Sequence, residues 1–207
     1  MSVMRKNINT IGLVAAITIF VLIIVSYFAP WWQLIVGNPT LAAINISPLN
    51  LYLSIFDKIL TIPLIWAINI SCLLMLLAGG IIMTVYSLAP TKTYAPKLLG
   101  YGYKQPLIAV ILFVLEVFGL VFSVRAFTGL EIPLMGPGLI ALPSELAPGG
   151  VSVSVNVEAS FGWPFFLAIA VVVLCITARL YHKKIAKTTV NNLPTTPTPP
   201  AKESLTS

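Results

Sequence analysis

Charged residues are scarce in this sequence of 207 residues. They make up 9% of the chain, whereas they make up about a quarter of a typical soluble domain. Hydrophobic residues account for 58%. A water-soluble chain of this length would need more charge to cover its surface, so we expect the lipid bilayer to be its solvent.

Residues that commonly carry chemistry are also few. The sequence has one histidine and two cysteines, and Cys72 and Cys175 both fall inside apolar runs, where a free cysteine acts as a small hydrophobic residue. Secreted disulfide scaffolds instead place paired cysteines in exterior segments. No catalytic, nucleotide-binding or metal-binding motif is recognisable. We therefore predict a non-enzymatic protein with no cofactor and no metal.

Four apolar runs reach the length of about 20 residues that crosses a hydrocarbon core of about 30 Å. We predict transmembrane helices over residues 11–29, 59–88, 106–127 and 161–181. The first run is longer than the apolar core of a cleaved signal peptide and is followed by no small-residue cleavage site, which indicates an uncleaved anchor.

Lysine and arginine are distributed unevenly around these runs. Ten of the twelve lie on the side of the membrane that holds both termini: Arg5, Lys6, Lys92, Lys97, Lys104, Arg179, Lys183, Lys184, Lys187 and Lys202. The positive-inside rule therefore places both termini in the cytoplasm and residues 30–58 and 128–160 outside the cell membrane. The excess positive charge then faces the anionic inner leaflet, and no nucleic acid partner is needed to explain it.

Valine alternates with polar residues from Val151 to Glu158, a pattern that indicates a strand with one buried face. The preceding residues, 131–148, are rich in proline and glycine and indicate a loop with short extended pieces. Weaker strands are predicted over 32–36, 41–46 and 49–55, with a turn at Gly37-Asn38-Pro39.

A single strand would leave its edges unpaired, and a two-stranded ribbon is marginally stable. We therefore predict one small antiparallel β cap that is built from both outward segments and packs its apolar face on the helix ends. The fold class is then an all-α bundle of four transmembrane helices, residues 1–187, with an extracytoplasmic cap. The tail, residues 188–207, is rich in threonine and proline and is predicted to be disordered.

Glu116 is the most unusual residue of the predicted spans, because a carboxylate at the centre of a bilayer is costly. We expect its carboxyl group to be protonated and to donate a hydrogen bond to Asn69 or Ser71 of the second span. Three roles stay open for Glu116: helix packing, a proton- or ligand-linked role, and contact with a partner subunit.

Small residues indicate where helices approach closely. Gly119 and Ser123 lie on nearly the same stripe of the third span as Glu116, and Gly79 and Gly80 supply small residues on the second span. We predict that the three glycines serve helix packing and that Ser123 contributes a polar group.

Several residues are expected to anchor the chain at the membrane surfaces. The positions next to span ends predict an aromatic belt and two groups of basic anchors: Trp31, Trp32 and Trp163 in the belt, Arg125 at the outer surface, and Lys183 and Lys184 at the inner surface. The alternative for the tryptophans is an aromatic patch that binds a ligand or partner.

The layout of four spans, cytoplasmic ends and two outward segments with strand character resembles the claudin-type tetraspan architecture. Trp31 and Trp32 sit where those proteins carry tryptophans in their first extracellular segment. The paired extracellular cysteines of that family are missing here, and the second outward segment is long. The resemblance therefore concerns the layout and implies no function.

The sequence favours a structural or accessory membrane protein that presents its cap to a membrane complex or an envelope partner. Its partners would be the lipid bilayer and either another protein or further copies of the chain. The alternative is a small transporter or an ion- or proton-conducting subunit that uses Glu116. A membrane enzyme subunit fits least, because the histidine ligands and acid clusters of such enzymes are missing.

Overall fold

A computed structural model describes residues 8–55, 58–60, 63–142 and 153–191. Within these residues the chain forms five helices and six strands. The helices are α1 (Thr10–Phe28), α2 (Pro63–Leu88), α3 (Ala95–Gly102), α4 (Lys104–Thr128) and α5 (Trp163–Asn191). The strands are β1 (Trp32–Val36), β2 (Ala42–Ser47), β3 (Asn50–Ile55), β4 (Lys58–Leu60), β5 (Gly136–Leu142) and β6 (Val153–Phe161).

Helices α1, α2, α4 and α5 are long and apolar enough to cross a membrane, as judged from length and composition. Their most apolar windows have a mean hydropathy of 2.2 to 2.8. The prediction of four long apolar helices is therefore confirmed. Helix α1 packs against α2 and α5, and α2 also packs against α4.

The ends of two predicted spans differ from the helices. Helix α2 begins at Pro63 instead of residue 59, because Lys58–Leu60 pairs with β3, and a proline suits the first turn of a helix. Helix α5 begins at Trp163 because Phe161 ends strand β6.

Helix α5 also runs past residue 181 to Asn191, into the predicted tail. No proline interrupts the chain between Pro164 and Pro194, so the helix meets no residue that would break it there. The remainder of the predicted tail, 192–207, lies outside the described residues.

Helix α3 is a short element that the sequence analysis did not predict. It turns Ala95, Leu99 and Gly102 toward the protein interior and exposes Lys97. It packs against α2, which explains why this short segment is helical.

The strands form one antiparallel sheet in the order β4-β3-β2-β1-β6-β5. Strand β1 of the first predicted outward segment pairs with β6 of the second, with Leu34 opposite Ala159. The prediction of a single antiparallel sheet from both segments is therefore confirmed. Strand β5 replaces part of the predicted loop, and its Pro137 is tolerated because β5 lies at the edge of the sheet.

Alternation of burial along β6 follows the predicted pattern. Val155, Val157 and Ala159 are buried, whereas Ser154, Asn156 and Glu158 are exposed. Residues 151 and 152 of the predicted strand lie outside the described residues. The sheet follows the ends of α1 and α4 and precedes the starts of α2 and α5, and its buried face belongs to the same hydrophobic core as the helices.

Candidate functional site

Trp31 joins the sheet to the helices. Its ring is fully buried, and its Nε1 donates a hydrogen bond of 2.8 Å to Oγ of Ser26 near the end of α1. The ring lies edge-on to Phe113 of α4, with centroids 4.9 Å apart. The Trp31 backbone donates to the Ile46 carbonyl of β2 and accepts from the amide of Gly162, both at 2.9 Å. Trp31 thus contacts α1 and α4 through its side chain, and it contacts β2 and the residue that follows β6 through its backbone.

Trp32 is also fully buried, and its Nε1 donates to the Leu134 carbonyl at 3.0 Å. The predicted place of Trp31 and Trp32 in a lipid-facing belt is therefore wrong, because the rings fill the space between sheet and helices. Trp163 differs from them, since 60% of it is exposed at the start of α5. Its role as a surface anchor stays a prediction.

Glu116 lies at the midpoint of α4 and is 5% exposed. Both of its carboxyl oxygens lack a hydrogen-bond partner. It lines a groove of about 310 Å³ between α2 and α4, which we call the α2–α4 groove. The other lining residues are six apolar side chains, a glycine and a serine: Leu64, Ile65, Ile68, Leu112, Leu115, Leu120, Gly119 and Ser123.

The predicted hydrogen bond from Glu116 to the second span is not formed. Asn69 is buried on α2, but neither its Oδ1 nor its Nδ2 has a partner. The Ser71 hydroxyl donates to the Ala67 carbonyl of its own helix at 2.8 Å. The prediction placed polar groups at similar depth on two helices, but similar depth did not bring them within hydrogen-bond distance.

Two of the three glycines predicted to serve packing lie close to a neighbouring helix. A Cβ atom on Gly79 would approach Pro106 of α4 to 3.0 Å, and one on Gly80 would approach Phe20 of α1 to the same distance. A Cβ atom on Gly119 would meet nothing within 4 Å. Gly119 therefore does not serve packing among the described residues, and it opens the α2–α4 groove beside Glu116.

The predicted basic anchors have different outcomes. Arg125 pairs with Glu131 at 2.9 Å, with both side chains largely exposed. The backbones of Lys183 and Lys184 lie in α5, but their side chains lie outside the description, so their role stays a prediction.

The face of the sheet away from the core carries a second recess, of about 500 Å³, which we call the sheet recess. Its polar lining includes Asn38, Thr40, Asn156 and Glu158, and Ile35 and Pro137 add apolar contacts. Amide, hydroxyl and carboxylate groups in one concave surface can donate and accept hydrogen bonds with an extended chain.

A polar contact at the other end of the bundle was missed from the sequence. Asn9 caps α1 by accepting a hydrogen bond from the Gly12 amide at 3.1 Å, and its Nδ2 donates to the Tyr86 hydroxyl at 2.6 Å. An asparagine just before an apolar run is a signal for a helix start, so the cap could have been predicted. The partner Tyr86 could not.

Among the described residues, no group of three histidine, cysteine, aspartate or glutamate side chains could hold a metal ion. A search of protein-family models finds no match to the chain, and a search of curated protein sequences finds none either.

Proposed function

We propose that this chain is a non-enzymatic multi-pass protein of the cell membrane that presents its sheet, as a rigid extracytoplasmic cap, to a protein partner. The observation that carries the proposal is the Trp31 junction. Its contacts with Ser26, Phe113 and Ile46 fix the sheet to the helices. A surface held in one orientation loses less conformational entropy on binding than a mobile one.

The lysines at one end of the bundle support the proposed orientation. Lys92 and Lys97 lie between α2 and α4, and Lys104 is the first residue of α4, at the end opposite the sheet. The positive-inside rule supports a cytoplasmic location for that end, and hence an outward location for the cap.

The sheet recess is the proposed docking surface. Asn156 and Glu158 on β6 and Thr40 before β2 supply hydrogen-bonding groups on one concave surface. The partner would bind through complementary donors, including a cation or amide that faces the Glu158 carboxylate.

The alternative of an ion- or proton-conducting subunit gains less support. Conduction across a bilayer needs polar groups in succession along the path. The described lining of the α2–α4 groove has two polar side chains, Glu116 and Ser123, among apolar ones.

Site-specific photo-crosslinking in intact cells tests the proposal. A benzophenone amino acid at Asn156 would lie in the sheet recess, and one at Leu180 would lie on the exposed surface of α5. We expect an adduct of one defined mass from position 156 and none from position 180. Twice the mass of the chain would identify a second copy as the partner.

The variant Glu158→Arg is the test of the recess itself. It reverses the charge of an exposed side chain and should leave the fold intact. We expect it to lower the yield of the adduct from position 156 by about tenfold, as the loss of a charged contact predicts. The absence of a defined adduct from position 156, or an unchanged yield in Glu158→Arg, would overturn the proposal.

A further inference from the structure

The α2–α4 groove holds an unusual combination of groups. Its walls are apolar, and the carboxyl group of Glu116 lies in its floor with both oxygens unpaired. A buried polar group without a hydrogen-bond partner is costly. This arrangement therefore favours an occupant that brings a hydrogen-bond donor.

The shape of the groove limits what can reach Glu116. Leu64 and Leu115 line the same groove and are 71% and 61% exposed, whereas Glu116 is 5% exposed. The carboxyl group thus lies below a leucine rim. An α-helix is about 10 Å wide with its side chains, so the backbone of a partner helix would rest on the rim. Both carboxyl oxygens are buried, so a molecule that reaches them must be slender and must move a leucine side chain aside.

The length of the groove also favours a slender occupant. On α4 its lining runs from Leu112 to Ser123, which corresponds to about 16 Å along the helix. Gly119 keeps this path open, because no atom of the described protein, apart from its chain neighbours and the nearby backbone of its own helix, lies within 4 Å of the position of a Cβ atom there. The volume of about 310 Å³ is at the lower end of the range for small-molecule sites, about 300–1,000 Å³.

We infer that the α2–α4 groove is a binding site for a lipid alcohol, a slender apolar molecule whose hydroxyl group donates a hydrogen bond to the carboxyl of Glu116. The apolar body lies along α4 between Leu112 and Ser123 and contacts Ile65 and Ile68 of α2. The molecule enters sideways from the bilayer. The site is independent of the proposed docking at the sheet recess.

The choice of an alcohol follows from the surroundings of the carboxyl group. The hydroxyl group of a lipid alcohol donates one hydrogen bond. The rest of the molecule is apolar and matches the walls of the groove. A pure hydrocarbon would fill the groove but leave both oxygens of Glu116 unpaired. A fatty acid would bring a second carboxyl group, and one of the two facing carboxyl groups would have to stay protonated, because two ionised carboxylates repel each other.

Photolabelling of the full chain in membrane vesicles tests the inference. The probe is a hexadecanol that carries a diazirine and an alkyne, and the competitors are unlabelled 1-hexadecanol and hexadecane. We expect labelled peptides from α2 and α4. Excess hexadecanol should lower the labelling about fivefold more than hexadecane does, which is the factor that one hydrogen bond contributes.

Three variants separate the parts of the site. Gly119→Leu places a larger side chain on the groove lining, at a position where an added Cβ atom meets nothing within 4 Å, and should abolish labelling. Gly100→Leu, at another glycine with nothing within 4 Å of an added Cβ atom, should keep it. Glu116→Leu should remove the preference for the alcohol over the hydrocarbon. The competition in the wild-type chain and the pair of glycine variants remain decisive if Glu116→Leu does not fold.

Equal competition by hexadecanol and hexadecane in the wild-type chain would overturn the inference, and so would full labelling of Gly119→Leu. A cross-link from a benzophenone amino acid at position 115 to a protein of defined mass, together with absence of alcohol labelling, would assign the groove to a partner helix. That result would also overturn the inference.

Discussion

The ring of Trp31 lies edge-on to the ring of Phe113, with 4.9 Å between the ring centroids. The first residue follows α1 and precedes β1, and the second belongs to α4. The contact therefore links the start of the sheet to a helix more than 80 positions further along the chain. Aromatic pairs in this geometry contribute beyond the apolar area that they bury.

Replacement of Trp31 by alanine should destabilise the fold. The side chain is fully buried and makes both the ring contact with Phe113 and the hydrogen bond to Ser26. We expect a loss of about 3–5 kcal/mol, the usual range for removal of a buried aromatic ring. The measurement is thermal unfolding in detergent, with Trp163→Ala at an exposed tryptophan as the control. Equal melting temperatures for the two variants would contradict the junction.

Gly162→Ala should also weaken the junction. A Cβ atom at this position would collide with the carbonyl oxygen of Pro30, and the backbone there cannot move aside easily because the Gly162 amide is bonded to Trp31. Forced overpacking costs about 1–3 kcal/mol. Gly100→Ala is the matched control, because an added methyl group there meets nothing. The measurement is again thermal unfolding in detergent. An unchanged melting temperature for Gly162→Ala would show that the backbone at Pro30 moves aside without cost.

The sequence revealed some parts of this fold because single-segment patterns carry them. The length of four apolar runs is sufficient to identify four helices, and the alternation of valines identified β6 with its buried face. These features depend on neighbours along the chain and need no knowledge of what packs against them.

Other features depend on how distant segments meet. Trp31 and Trp32 follow a span end, where an interfacial belt residue and a core residue look alike in sequence. The angular arithmetic correctly put Glu116, Gly119 and Ser123 on one stripe, since all three line the α2–α4 groove. It could not give the distance between side chains on two different helices, and the predicted hydrogen bond between Glu116 and Asn69 is not formed. Helix α3 was missed because its helical form depends on packing against α2.

Tyr86→Phe tests the contact at the other end of the bundle. The change removes the hydroxyl that accepts the 2.6 Å hydrogen bond from Asn9, and the buried Asn9 amide is left without that partner. Such losses cost about 1–3 kcal/mol. Tyr101→Phe, at an exposed tyrosine, is the control. Comparable unfolding midpoints for both variants would mean that water or another group replaces the lost partner.

The ion pair of Arg125 with Glu131 should contribute little. The two side chains are 67% and 74% exposed, and exposed pairs are worth about 1 kcal/mol or less. A double-mutant cycle with Arg125→Ala and Glu131→Ala should give a coupling energy within that limit. The coupling should decrease when the salt concentration is raised, because ions screen exposed charges. A large coupling that persists in high salt would indicate that the pair is shielded from water.

The proposed function requires that the sheet lies on the outer side of the membrane and that the lysine-bearing segment before α4 lies on the cytoplasmic side. After replacement of Cys72 and Cys175 by alanine, single cysteines are introduced by Asn156→Cys in the sheet and by Lys97→Cys in α3. A membrane-impermeant maleimide is then applied to intact cells. We expect position 156 to be labelled at once and position 97 only after permeabilisation. Labelling of position 97 in intact cells, with position 156 protected, would contradict it.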